Sequence, residues 1–255
     1  MKRSIVNSLR GTARAALWAI VLSVLWVALL GAVDPPVTWV MAQQAIEQKD
    51  FAREWRDLEH ISRNMPLAVI ASEDQKFMDH HGFDMEAIDK ALAYNEKKKG
   101  KRMKGASTIT QQVAKNVFLW PQRSWFRKGA EVWFTLLMEG MWSKERILEV
   151  YLNVAETGPG RFGVEAAARY CFARPAEGLN RSQAALIAVT LPAPRRYSCR
   201  KPGSFTQRRQ QWVVRNMNNL GDVLDPEVRK RNREQEERRQ RRGSRPRPAA
   251  KAHGK

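Results

Sequence analysis

STITQQVAKNVF, residues 107–118, is the stretch whose reading decides the fold. Thr108 stands three residues before Gln111, the spacing of a capping box that opens a helix. Ile109, Val113 and Val117 recur at helical spacing and form one apolar stripe. Gln111, Gln112 and Lys115 fall on adjoining turns of the polar side. The same period continues outward. Asn64 and Pro66 open a helix upstream, and Asp84 caps another with Met85, Ile88 and Leu92 on one face. Downstream, helical patterns cover 126–142, 143–153, 164–172 and 182–191, the last closed by Pro192. Period-2 alternation is nearly absent and no internal repeat occurs, so the sequence predicts a mainly α domain.

The chain has 255 residues, the size of one ordinary domain, and 43% of them are hydrophobic. A wholly disordered chain is thereby excluded. The formal net charge is +19, but it gathers at the ends. Residues 1–14 hold four basic and no acidic residues, and residues 229–255 carry a net +9. A high pI of this origin does not make the folded part a nucleic-acid binder. Two cysteines exclude a disulfide scaffold, and the four histidines show no metal-ligand spacing.

Residues 15–33, AALWAIVLSVLWVALLGAV, contain no charge and one polar side chain, Ser23. As a helix they reach about 29 Å, roughly one hydrocarbon core. Lys2, Arg3, Arg10 and Arg14 precede them, and the next basic residue is Lys49, which places the N-terminus in the cytoplasm. A cleaved signal peptide would have a shorter apolar stretch and a better cleavage site than Gly31-Ala32-Val33. The expected organisation is a cytoplasmic N-terminus (1–14), a membrane anchor (15–33), a connector (34–59), a catalytic domain (60–221) and a basic tail without structure (222–255). Around Trp39, Phe51, Trp55 and Arg56, aromatic and basic side chains suit either lipid headgroups or ordinary packing.

Glu73-Asp74 at a helix end would be surface decoration but for the cations downstream. Lys115, Arg123, Arg127 and Lys128 stand beside amide and hydroxyl groups, with Glu131 four residues after Arg127. That composition reads either as a salt-bridged helix face or as a site for phosphate or pyrophosphate.

These residues also carry a resemblance. EDQKFMDHHGFD (73–84), GASTITQQVAKN (105–116), RKGAE (127–131) and KERILEVYLN (144–153) resemble, in order and spacing, four signatures of glycosyltransferase family 51. GRFGVEAAARYCF (160–172) and AALIAVTLPAPRRY (184–197) are similar to the family's later helices and turn, so the likeness spans about residues 60–215. Cys171 and Gln183 depart from the pattern in ways that touch local packing only.

The resemblance implies a monofunctional biosynthetic peptidoglycan transglycosylase. The expected fold is a lysozyme-like helical lobe, a smaller mobile lobe and the N-terminal membrane helix. The implied reaction polymerises lipid II by inverting transfer, forming β-1,4 links and releasing undecaprenyl pyrophosphate, on the periplasmic side of a bacterial inner membrane. Glu73 is the implied general base. Glu131, the second catalytic candidate, either orients the cations or holds a divalent ion, Mg or Mn; no cofactor is otherwise implied. Ser107, Gln111, Gln112, Lys115, Arg123, Arg127 and Lys128 are the implied substrate-binding residues. His80, Asp84, Glu149 and Asn153 are expected to be structural. Ser198-Cys199-Arg200-Lys201 matches S-x-x-K, yet no S-x-N or K-T-G follows, so no transpeptidase is expected. The implied partners are lipid II, the nascent lipid-linked strand, the membrane, and cell-division or elongation proteins, with no nucleic acid. A lysozyme-like lytic enzyme and a membrane-anchored basic binding protein are the rival readings.

Overall fold

The computed structural model describes residues 2–47, 51–98, 105–122 and 124–243. Eleven α-helices and three short strands occur among the described residues, so the mainly α expectation holds. Helix α1 (Lys2–Ala32) is one continuous rod. Its stretch Arg10–Ala32 is long and apolar enough to cross a membrane and is mostly exposed.

The last turns of α1 are docked against α6 (Trp125–Met141) and the residues around it. Val27 and Leu30 are buried there. Trp26 packs edge-on to Phe118 and Phe134, which stack on each other at 4.6 Å. Trp142 Nε1 donates to the Val27 carbonyl at 2.8 Å. Gly31 permits that approach, because a Cβ there would lie 2.9 Å from Trp142 Nε1. Asp34-Pro35-Pro36 ends the rod, and α2 (Trp39–Glu47) follows. The sequence had not marked α2. It starts where Thr38 Oγ1 accepts from Met41 N, and it buries Met41 and Gln44.

Two groups of helices form the core. In the first, α3 (Asn64–Glu73) is apolar on every side and is enclosed by α9 (Arg181–Thr190) and α10 (Ser204–Leu220). An all-round apolar helix can be stable only when surrounded. In the second, α5 (Ile109–Phe118) lies between α6 and α7 (Lys144–Val154), with the stripe Ile109, Val113, Val117 buried. Helix α4 (Met85–Lys97) begins at its Asp84 cap. Residues 99–104, which follow it, lie outside the described residues.

Strands β1 (Ala52–Arg53), β2 (Glu156–Gly158) and β3 (Arg161–Phe162) make a small sheet in the order β1-β3-β2, parallel then antiparallel. Gln44 Oε1 accepts from Gly160 N at 2.7 Å and ties the β2–β3 turn to α2. Helix α8 (Val164–Phe172) follows, and Cys171 forms a disulfide with Cys199.

The expectation of a structureless tail over 222–255 is corrected as far as residue 243. Helix α11 (Pro226–Gly243) occupies that stretch, and residues 244–255 lie outside the described residues. The Asp225 carboxylate accepts from Glu227 N, Asn232 Nδ2 donates to the Leu220 carbonyl, and Arg233 reaches Asp79. Arg, Lys, Gln and Glu are good helix formers, and Glu234, Glu236 and Glu237 interrupt the positive run.

The Cys171–Cys199 bond closes a loop across 28 positions of sequence. On chain-entropy grounds such a closure stabilises by up to about 3.5 kcal/mol. The double variant Cys171→Ser/Cys199→Ser should therefore unfold at lower denaturant, and reductant should shift the wild type the same way and leave the variant unchanged. An unchanged wild-type midpoint under reductant would mean that the bond carries none of the stability.

Candidate active site

Glu73 is the last residue of α3. Its Oε2 accepts from Gln112 Nε2 at 3.2 Å, and its Oε1 accepts from Ser72 Oγ at 3.2 Å. Burial pushes its carboxyl above the ordinary value, against the pull of those two hydrogen bonds and of the Arg209 guanidinium. Arg209, on α10, donates to the Ser72 carbonyl at 3.5 Å and lies 3.7 Å over the Trp212 ring. Gln112 is fixed from its other end, since Tyr151 Oη donates to its Oε1 at 3.3 Å. Tyr151 is buried beneath it, and desolvation holds its hydroxyl neutral.

Asp74 turns inward. Its buried carboxylate accepts from Ile109 N at 3.0 Å, one of the free donors at the start of α5. It also takes a hydrogen bond from His80 Nε2 at 2.9 Å. His80 Nδ1 accepts from Gly82 N, so the ring carries its proton on Nε2, the side facing Asp74. Gly82 has φ +85°, and a Cβ there would lie 2.6 Å from Thr135 Cγ2. Lys144 Nζ, joined to Glu139, donates to the His80 carbonyl at 2.7 Å. The loop beneath Glu73 is thus pinned from three elements. His80 and Asp84 are bracing groups, as expected. So are Glu149 and Asn153, which accept from Leu58 N and Arg56 N.

A cavity of about 300 Å³ opens beside this network. Gln112, Lys115, Arg127 and Tyr151 line it, with Asn116, Trp120 and Glu156. Gln112 therefore faces the cavity and touches Glu73 at once. Arg127 gives one Nη to Glu131 at 3.3 Å, while its buried Nε has no protein partner. An orphaned cationic donor in a cavity wall suits an anionic ligand oxygen.

Other expected residues stand elsewhere. Lys128 pairs with Glu131 and is not part of the cavity lining. Gln111 is buried, and its side chain accepts from Thr108 N to complete the capping box. Ser107 is exposed just before that cap. Arg123 lies outside the described residues. Glu131 is buried with one oxygen to Arg127 and the other to Lys128. Two cations already satisfy that carboxylate, so its surroundings do not fit a divalent ion. Among the described residues, the group with metal-like spacing is Asp57, Glu59 and His60, exposed and without Glu131.

Sequence reasoning had assigned no site role to Asp74, Tyr151, Glu156 or Arg209. Asp74 and Tyr151 lie inside recognisable stretches, one helix turn or less from residues that were singled out. Glu156, paired with Arg195 at 2.9 Å, and Arg209, one of several arginines on α10, carry no local signal.

Comparison with known proteins agrees with this geometry. A family model described as Transglycosylase matches residues 40–218. A protein of Pseudomonas aeruginosa named biosynthetic peptidoglycan transglycosylase is 51% identical over 211 residues, 80% of this chain and 90% of its own length. A protein of the same name from Xanthomonas axonopodis pv. citri is 50% identical over 206 residues, 78% and 83% of the two chains. Another, from Pseudomonas putida, is 50% identical over 219 residues, 84% and 92%. With its half-buried helix-end glutamate, its cation-lined cavity and these relatives, the chain belongs to the transglycosylase family.

Proposed function

We propose that this enzyme, a peptidoglycan glycosyltransferase, polymerises glycan strands from lipid II, with a pyrophosphate-linked lipid as leaving group. One observation carries the reading: Gln112 joins the half-buried Glu73 carboxylate to a cavity walled by Lys115 and the half-satisfied Arg127. The two sides of that cavity suit the two halves of the reaction. An acceptor hydroxyl must lose a proton, and Glu73 stands ready to take it as general base. Its raised carboxyl makes it a stronger base than an exposed glutamate. A pyrophosphate leaves as a stable anion and needs positive charge rather than a proton, which Lys115 and Arg127 supply. A hydrolytic glycosidase would instead need a second carboxyl group placed as acid or nucleophile. Glu131 acts at one remove, holding Arg127 and Lys128 in place.

The anchor belongs to the same reading. The apolar face of α6, with Trp125, Phe126, Trp133 and Leu136 exposed, continues the apolar surface of α1. That continuity supports a cavity held beside the membrane surface, where a lipid-linked donor is found. The basic N-terminus supports an outer, periplasmic position for the domain on an inner membrane. The disulfide suits that oxidising compartment.

Glu73→Gln should lower lipid II polymerisation in detergent by at least about 100-fold, the lower end for a general base. Near-normal turnover would remove Glu73 from the chemistry. Formation of cleaved muropeptides from preformed strands, without polymer from lipid II, would favour a lytic enzyme.

A raised carboxyl also fixes a stability trend. The protonated form is the one the fold prefers, so this contribution is complete below the ordinary value of 4.5 and is lost as pH rises through the raised one. Glu73→Gln should then raise the thermal midpoint at pH 7, with the difference vanishing below pH 4.5. Lys115→Ala should cost about 10- to 100-fold in turnover, the range for a hydrogen bond to a charged group. It should weaken a pyrophosphate-bearing donor analogue in parallel. Loss of turnover with unchanged analogue binding would contradict the leaving-group role.

A further inference from the structure

A second pocket, of about 590 Å³, lies on the small sheet, with Arg53, Arg161, Arg169, Arg200, Phe51 and Tyr170 in its wall. Four arginines and one carboxylate, Glu54, line it, and Arg169 among them also pairs with the buried Glu165 at 2.8 Å. Glu54 is already shared between Arg56 and Arg169. Arg161 lies 3.9 Å over the Tyr170 ring and Arg200 lies 5.3 Å from it. Both guanidinium planes rest against one aromatic side chain, an arrangement that orients their N–H groups. Arg53 keeps a buried Nε without a protein partner. The disulfide joins the residue after Tyr170 to the residue before Arg200, so the two aromatic–cation walls are covalently tied.

The place of this pocket identifies its ligand. Arg53 donates to the carbonyls of Pro35 and Pro36, the turn that directly follows the membrane helix. Gln44, on the helix after that turn, holds Gly160 beside Arg161. The pocket is therefore one side chain from the point where the chain leaves the bilayer. Phe51 and Tyr170 are each more than a third exposed at its mouth. Arginines beside half-exposed aromatic rings at that level form a site for the phosphate of an anionic phospholipid.

We propose that the Arg53–Arg161–Arg200–Tyr170 pocket binds the phosphate of an anionic phospholipid headgroup at the outer membrane surface. It is separate from the catalytic cavity: Arg161 and Phe162 are neighbours on β3, and Phe162 alone lines that cavity. Neighbouring strand residues face opposite sides, so the two sites back onto each other across the sheet. The site rests on the membrane anchor and not on the identity of the sugar substrate.

The test uses the full chain in a neutral detergent, titrated with phosphatidylglycerol, phosphatidylcholine or inorganic phosphate, with the thermal midpoint as readout. Phosphatidylglycerol should raise the midpoint and phosphatidylcholine should not. Arg161→Gln/Arg200→Gln should weaken the phosphatidylglycerol effect at least about 5-fold. Arg231→Gln/Arg238→Gln, which removes equal charge from exposed positions on α11, should leave it within about 2-fold. Should the first double variant fold poorly without lipid, Arg200→Gln alone, at an exposed position, carries the same expectation. Equal binding by the site and control variants, or an equal response to phosphatidylcholine, would overturn the site. A full response to inorganic phosphate alone would show a free-oxyanion site and overturn the lipid assignment.

Discussion

The buried carboxylate of Asp74 is the constraint on which the catalytic arrangement depends. One residue closes the end of α3 through its backbone N–H on the Ile70 carbonyl, and its side chain neutralises the first free donor of α5 and fixes the His80 ring. Those two helices belong to different halves of the core, and Asp74 sets how they meet. Its neighbour Glu73 is then left at the seam, with Gln112 from α5 across from it. An ionised group sealed from water needs several partners, since an unpaired one costs several kcal/mol. Ile109 N and His80 Nε2 supply them, and Gly82 N holds the imidazole from its other side. Adjacent carboxylates so receive different fates: Asp74 is buried on a backbone donor and a histidine, and Glu73 holds two side-chain hydrogen bonds at the half-open seam.

The same division of labour recurs on the cationic side. Arg127 and Lys128 are consecutive, and both touch Glu131, yet only Arg127 enters the cavity wall. Glu131 costs little where it sits because both oxygens are neutralised. In return it holds Arg127 in one rotamer, with Nε turned away from any protein acceptor. A long side chain fixed beforehand loses less entropy when a ligand arrives. Tyr151 does the equivalent for Gln112 from below.

Much of this was readable in the amino-acid sequence, and the parts that were not share a physical cause. Helices with a clear stripe and cap, such as α5 with Thr108 and Gln111, were placed to within a residue or two. Glu73, Gln112, Lys115 and Arg127 lie in short stretches whose order is distinctive, so their convergence could be anticipated. Gln111 and Lys128 share those stretches and polar faces, but local hydrogen bonds claim their side chains first. Arg209 and Glu156 reach the site from segments far away in sequence, and long-range packing alone brings them in. Helix α11 was missed because its charge was counted in bulk. Its helix-forming residues and its contacts to Leu220 and Asp79 were the stronger terms.

Arg146 carries a consequence for how the enzyme moves. Its guanidinium donates to the Leu30 and Val33 carbonyls and pairs with Asp34, so it caps the membrane helix from inside the catalytic domain. With Trp142 also on the Val27 carbonyl, the anchor is bolted to the domain and does not act as a leash. A leashed domain would tumble and could sample the wall at varying heights. A bolted one keeps its active cleft at one altitude and one tilt, free only to drift and spin in the plane of the bilayer. On the proposed reaction, a strand growing from such a cleft is extruded in a fixed direction, and the polymer, not the enzyme, travels away from the membrane.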